Sequence, residues 1–256
     1  MIKNIIKGTL ATLFWVLVWF VAALAVNKEL ILPAPISVAV RLSELVTEPI
    51  FYSTILHSLM RVIAGMLCGA FIGLAGGAIT AFSRFAHTLF SPIMAVVKST
   101  PIASFIILLF LWLDRNTVAC VISALIVLPV VWSNVESGIL NTDKSLLEMA
   151  EIYKIKGFAR LRHIYAPSTL PYFAAALRSS LGMSWKAGIA AEALILPAVS
   201  IGKMIFESKY NLETVDLFAW TVTVIILSVI IERVMVGLLG RFTEHRNSNT
   251  GGVEIG

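Results

Sequence analysis

Apolar residues run in long blocks along this chain, and polar residues collect in the gaps between them. A bilayer crossing needs roughly 20 mostly apolar residues as a helix. Six blocks approach that length: about residues 9–26, 58–82, 89–113, 117–135, 168–196 and 215–239. The third is interrupted by Pro101, which removes a donor from the helix ladder. None alternates as a barrel strand would, and lipid admits only helices or closed barrels. The pattern predicts an all-α, polytopic membrane protein with about six transmembrane helices.

Two of the gaps carry helical spacing of their own. "LPAPISVAVRLSELV" opens on Pro33 and Pro35 and then reads as a short amphipathic helix. "SIGKMIFESKYNLETVD" has apolar residues at similar spacing. Each fits a helix lying in the membrane interface, or a loop packed on the bundle. At the start, Lys3 and Lys7 precede "TLATLFWVLVWFVAALAV". That run exceeds the apolar core of a signal peptide and carries Trp15 and Trp19, so a retained first span is expected.

Composition agrees with the pattern. Of 256 residues, 58% are hydrophobic and 14% charged, against about a quarter charged in soluble domains. Mean hydropathy is +0.90. The net charge of +5 invites a nucleic-acid partner, but in a multi-span chain basic residues belong first to cytoplasmic loops. Assigning the N-terminus to the inside places Lys3, Lys7, Arg84, Lys144, the basic residues of 154–162, Arg241 and Arg246 there. Lys28, Arg41, Arg115, Lys203 and Lys209 fall outside, so both termini are expected in the cytoplasm. Cys68 and Cys120 fall in apolar blocks and read as buried small hydrophobes. No metal-ligand spacing is present, and His57, His87, His163 and His245 are scattered.

The second block carries Gly65, Gly69, Gly73 and Gly77 four residues apart, with Gly76 alongside. On a helix these make a smooth stripe that lets another backbone approach closely. Packing within one subunit and a dimer-facing or gating role both fit that stripe. Ionisable groups at membrane depth are few: Lys98 just before Pro101, then Arg178, Lys186 and Glu192 in the fifth block. A charge at mid-bilayer costs about 2.5–3.5 kcal/mol on insertion scales, so each needs a partner or a wet cavity. Lys186 and Glu192 are about 600° apart on a helix and do not share a face. Lys98 is a candidate partner for Glu192. A translocation-pathway role for Lys98, Pro101, Lys186 and Glu192 stands beside snorkelling or structural pairing.

One polar stretch, "EMAEIYKIKGFARLRHIYAP", lies between the fourth and fifth blocks. Glu148, Ala150, Ile164 and Pro167 have the spacing of the EAA motif of ABC importer permeases, and the chain resembles that family. Met149 stands for the motif's middle alanine, Lys154 for its glycine and Ala166 for its leucine. Gly157 follows three residues after Lys154, and the break between two short helices is expected to be displaced toward it. Four more stretches resemble the family in matching order: "LPAPISVAVRL" with "HSLMRVIAG", "KSTPIASFIILLFLW", "GMSWKAGIAAEAL", which is similar to the nitrate/taurine/sulfonate permeases, and "SIGKMIF" with the final "VDLFAWTVTVIILSVIIERV".

The resemblance implies a type I ABC importer (MetI-like) permease fold. It implies one transmembrane domain over residues 1–256, with 58–240 as a five-helix core. Residues 1–57 would supply the first span and the outer amphipathic segment; the Gly- and Ser-containing stretch 247–256 reads from its composition as a disordered tail. It implies that the EAA stretch forms a coupling helix docked on a separate ATPase, with Glu148, Met149, Ala150, Ile152, Tyr153, Lys154, Gly157, Ile164 and Pro167 as the coupling residues. A homodimer, an external solute-binding protein, and ATP and magnesium held by the partner ATPase are implied as well. No P-loop is present in this chain: Gly202-Lys203 is followed by Met204 and lacks the upstream glycine. The expectation is therefore no enzyme activity, no catalytic residue, metal or cofactor in this chain, and no nucleic acid partner. A small anion is the favoured cargo. A secondary carrier would need an inverted repeat with paired broken helices, and an intramembrane enzyme a cluster of polar catalytic groups; neither is visible in the sequence.

Overall fold

Prolines and short polar side chains set where the helices begin and end. Ser83, Asp114, Asp143 and Ser200 each accept a hydrogen bond from a backbone N–H in the first turn that follows, at 3.2, 2.9, 2.9 and 3.2 Å. Each cap satisfies a donor that the helix itself leaves free. Asp114 also accepts from the Thr117 hydroxyl, and these bonds hold its carboxyl below the usual carboxylate range. The structure, a computed structural model, describes the backbone of residues 2–250 and the side chains of residues 10–235 and of Gly237. Lys3, Lys7, Arg241 and Arg246, which weighed in the orientation, lie outside the side chains described.

Every regular element among the described residues is a helix. In chain order they are α1 (Ile2–Val26), α2 (Pro35–Leu45), α3 (Pro49–Phe82), α4 (Arg84–Ser99), α5 (Ile102–Phe110), α6 (Arg115–Leu140), α7 (Lys144–Ile152), α8 (Gly157–Arg160), α9 (Ala166–Ile195), α10 (Ile201–Tyr210) and α11 (Thr214–Thr250). One wide π-helical turn, Leu161–Tyr165, joins α8 to α9. Both amphipathic gap segments are helices, α2 and α10. Residues 247–250 of the expected tail continue α11, and the remainder lies outside the described residues.

The span count differs from the expectation of six. Among the described residues, three helices are long and apolar enough to cross a membrane, Pro49–Phe82, Arg115–Leu140 and Thr214–Met235, or four if the bent pair α4 and α5 is one span. The first expected span shows only a shorter apolar helix, Leu10–Val26, in its described part. The fifth, α9, has 30 residues but is made polar by Arg178, Lys186, Glu192 and several serines. The third is two helices bent by 101°. The reason is local: Pro101 disfavours helical backbone at the residue before it, and Thr100 is extended at ψ 130°.

The chain divides into two compact units. The first comprises Met1–Ser58 and Glu192–Leu227. Within it, Trp19 stacks on Phe218 with centroids 5.8 Å apart and donates its indole N–H to the Pro33 carbonyl at 3.1 Å. Arg41 of α2 forks onto Asp216 of α11 at 2.6 and 2.9 Å. That pairing, and a second to Glu44, raises the guanidinium pKa still further above its ordinary value. Phe51 and Trp220 close the unit with ring centroids 5.2 Å apart.

The second unit comprises Leu59–Ala191 and Ser228–Gly256. Its core is built on α6, where Val127, Val131, Val135 and Ile139 recur every four residues. They pack with Met66 and Ala70 of α3 and with Ala176, Leu177 and Leu181 of α9. The glycine stripe of α3 faces α6 of the same chain. A Cβ at Gly65, Gly69 or Gly77 would overlap the backbone at Cys120, Ala124 or Trp132, and one at Gly73 would crowd Leu128 and Val131. Gly76 leaves room for the Trp132 ring. Trp132 in turn donates to the Thr80 hydroxyl at 3.1 Å. Small residues thus supply the close approach that membrane helices use in place of a hydrophobic drive.

Candidate functional site

The segment between α6 and α9 folds as a helix, a tight turn and a second short helix. Asp143 caps α7, and α7 ends at Tyr153. Beyond it Lys154 takes a left-handed conformation, φ +55°. The Lys154 N–H bonds the Glu151 carbonyl at 3.1 Å and the Ile155 N–H bonds the Ala150 carbonyl at 2.8 Å. This is the Schellman pattern, which favours glycine at the left-handed position. The break therefore falls at Lys154 itself and is not displaced to Gly157. Gly157 supplies a second left-handed residue, φ +58°, just where α8 begins. No neighbour lies within 4 Å of a Cβ built on Gly157, so backbone conformation and not space is the reason for glycine there.

This geometry sorts the segment into anchors and a free face. Ala150 is 0% exposed and Ile164 4%. Ile152, Tyr153 and Phe158 are 78%, 73% and 74% exposed, and Met149 is exposed as well. Glu148, Glu151, Lys154 and Lys156 are exposed around them. Tyr165 fixes the second arm: the Phe82 ring meets it edge-on at 5.1 Å, and the Arg160 guanidinium lies over its face at 5.9 Å. Pro167 follows directly on the π-helical turn, as the second residue of α9. Three large apolar side chains are thus left exposed on one polar segment.

The ionisable groups separate into different settings. Glu192 is fully buried. Its Oε2 accepts from the Ser58 hydroxyl at 2.6 Å and from the Gly202 N–H at 3.3 Å, at the N-terminus of α10. Ser58 Oγ also accepts from the Ile201 N–H at 2.9 Å. A carboxylate suits a helix N-terminus, where backbone donors converge. Gly202 is required by the fit, since a Cβ there would collide with Glu192 and Ala193. Lys98, the candidate partner offered for Glu192, approaches Ser133 Oγ with its Nζ at 3.4 Å. Lys186 is exposed, on a different face of α9 from Glu192, as the spacing requires. Ala175, Arg178, Ser179, Met183 and Lys186 make one exposed face of α9, small and cationic.

Sequence reasoning missed His87 and Glu136. They are 49 residues apart, yet Nδ1 of His87 lies 2.7 Å from Oε1 of Glu136. They line a cavity of about 290 Å³ together with Ser91, Lys98 and Ser133. No periodicity could signal that pair, because α4 and α6 are brought together by packing. The histidine spacing alone carried no information. Among the described residues, no group of three or more His, Cys, Asp or Glu could hold a metal ion.

Comparisons with known proteins agree with this architecture. The chain is 25% identical over 247 residues to a putative aliphatic sulfonates transport permease protein of Bacillus subtilis, covering 96% of this chain and 89% of that one. It is 29% identical over 205 residues to a nitrate import permease protein of Synechococcus elongatus, covering 76% and 72%. A bicarbonate transport system permease protein of the same species is 23% identical over 192 residues, covering 74% and 68%. Among solved structures, an inward-facing methionine ABC transporter aligns with a TM-score of 0.65 at 15% identity, covering 75% of this chain and 95% of the other, which is a likeness of fold. The family model for binding-protein-dependent transport system inner membrane components matches residues 65–245. With that match over most of its length, the chain belongs to this family, the membrane-spanning permeases of ABC importers.

Proposed function

We propose that this chain moves a small anion inward across the plasma or inner membrane, as one half of a homodimeric permease driven by a separate ATPase. Both termini and the α7–α8 segment face the cytoplasm, in keeping with the excess of Lys and Arg assigned to that side. An external solute-binding protein delivers cargo to the opposite face, and ATP with magnesium binds only to the partner ATPase.

The observation that carries the reading is the exposed apolar trio Ile152, Tyr153 and Phe158, held on a rigid helix–turn–helix. Apolar anchors fill a groove on a partner, and the surrounding charges form its rim. Closure of the ATPase pair would push this segment and bias the bundle between two states, which requires differential contacts in each. The cationic face of α9 supports the anionic cargo and the dimer. Arg178 and Lys186 facing lipid at depth would be costly, whereas lining a wet path between subunits they are tolerated.

The test uses the reconstituted importer with its ATPase and binding protein. Tyr153→Ala with Phe158→Ala should release the ATPase on size-exclusion chromatography, because truncated hot spots cost about 2 kcal/mol or more each. Glu148→Arg should separate ATP hydrolysis from uptake while membrane insertion is retained. Full uptake and intact assembly in all of these variants would overturn the coupling assignment.

A further inference from the structure

Lys98 stands between two cavities, one with an almost wholly apolar lining and one where polar groups join an apolar wall. One, about 220 Å³, is walled by Val97, Ile102, Phe105, Ile126, Val130 and Met183. The other, about 290 Å³, holds Ser91, Ser133, His87 and Glu136. Lys98 and Pro129 border both. No carboxylate lines the apolar cavity. The carboxylate of the polar one, Glu136, is engaged by His87 at 2.7 Å. Among the described residues, Lys98 makes only a long contact, 3.4 Å, to a Ser133 hydroxyl that already donates to the Pro129 carbonyl at 2.7 Å. An ammonium so placed is available to an incoming anion at little cost.

We propose that the two cavities form one binding site for a small organic anion with an apolar tail. The head group pairs with Lys98 on the polar side, and the tail enters the space bounded by Phe105, Ile126 and Met183. A dry cavity of about 150 Å³ accepts benzene, so about 220 Å³ admits an aromatic ring or a short alkyl chain. An inorganic oxyanion has no group for that space and gains only the contact with Lys98. The 101° break between α4 and α5 creates the site, because Lys98 ends one helix while Ile102 and Phe105 begin the next. Met183 brings in the cationic face of α9, with Lys186 three residues on. The site rests on the importer reading and assigns that reading a class of cargo.

The experiment uses the full-length chain in phosphatidylcholine nanodiscs, titrated calorimetrically with benzenesulfonate and with nitrate. Benzenesulfonate should bind at least about tenfold more tightly than nitrate. Lys98→Ala should weaken it by about tenfold or more, and Lys98→Arg should restore most of the loss. Ile126→Trp, which fills the apolar cavity, should weaken benzenesulfonate and leave nitrate unchanged. Equal affinity for the two anions, or benzenesulfonate binding indifferent to both Lys98→Ala and Ile126→Trp, would overturn the site. Loss of benzenesulfonate binding when phosphatidylglycerol is added to the discs would assign the same head-and-tail chemistry to lipid and overturn the cargo assignment. ATP-coupled uptake with Lys98-independent binding defeats this site alone. Lys98-dependent binding in a chain that never couples to an ATPase defeats the importer reading alone.

Discussion

Replacing Lys154 with glycine tests the geometry of the α7–α8 turn most directly. Lys154 holds φ +55° because the Schellman bonds from its own N–H and from Ile155 demand it. A left-handed conformation costs a residue with a Cβ about 1–2 kcal/mol. Glycine escapes that cost but gives back about 0.4–1 kcal/mol through its greater freedom in the unfolded chain. Lys154 is exposed, so no packing is lost with its side chain. The net gain is about 0.5–1 kcal/mol, or a factor of about two to five in the local opening equilibrium. The assay is amide hydrogen exchange over residues 148–158 in the purified protein. Lys154→Gly should slow exchange at Ile155 by that factor, whereas Lys154→Val should speed it, because a β-branched residue fits the left-handed region worst. Faster exchange in Lys154→Gly, or no change in Lys154→Val, would refute the argument that backbone conformation sets the break.

Two further outcomes follow from burial and close packing. Glu192→Ala leaves the Ser58 hydroxyl and the Gly202 N–H without their shared acceptor, at a cost of about 1–3 kcal/mol. The variant should melt at a lower temperature in detergent, with Glu192→Gln intermediate; a wild-type melting curve for the alanine variant would remove the latch. Gly69→Leu drives a side chain into the Ala124 backbone, and overpacking of this kind costs about 1–3 kcal/mol or more. Its yield of monodisperse protein should fall well below that of Phe71→Leu, a position 74% exposed on the same helix.

Much of the candidate site was legible because its signals are local. Glu148, Ala150, Ile164 and Pro167 stand at fixed offsets, and the buried Ala150 and Ile164 bracket the exposed Ile152, Tyr153 and Phe158 within one segment. The position of the break was misjudged because a lysine in a left-handed turn has no sequence signature. Only the hydrogen bonds across the turn reveal that Lys154 occupies the glycine position. The contact of His87 with Glu136 and the latch on Glu192 escaped for another reason. Both join residues far apart in the chain, and no one-dimensional period encodes such a meeting.

Run length, charge and small-residue spacing belong to the chain as written, so the helical class, the membrane setting and the stripe Gly65–Gly77 could be read without coordinates. The break at Pro101 was also local, since proline restricts its own neighbour. The angle of that break, the faces that α9 buries and exposes, and the partners of its charges belong to the folded protein. They depend on which helices pack together, and packing is decided by shape complementarity summed over distant segments. The same physics that hides Glu192 behind Ser58 leaves Lys98 open between two cavities, although both are ionisable residues within expected spans.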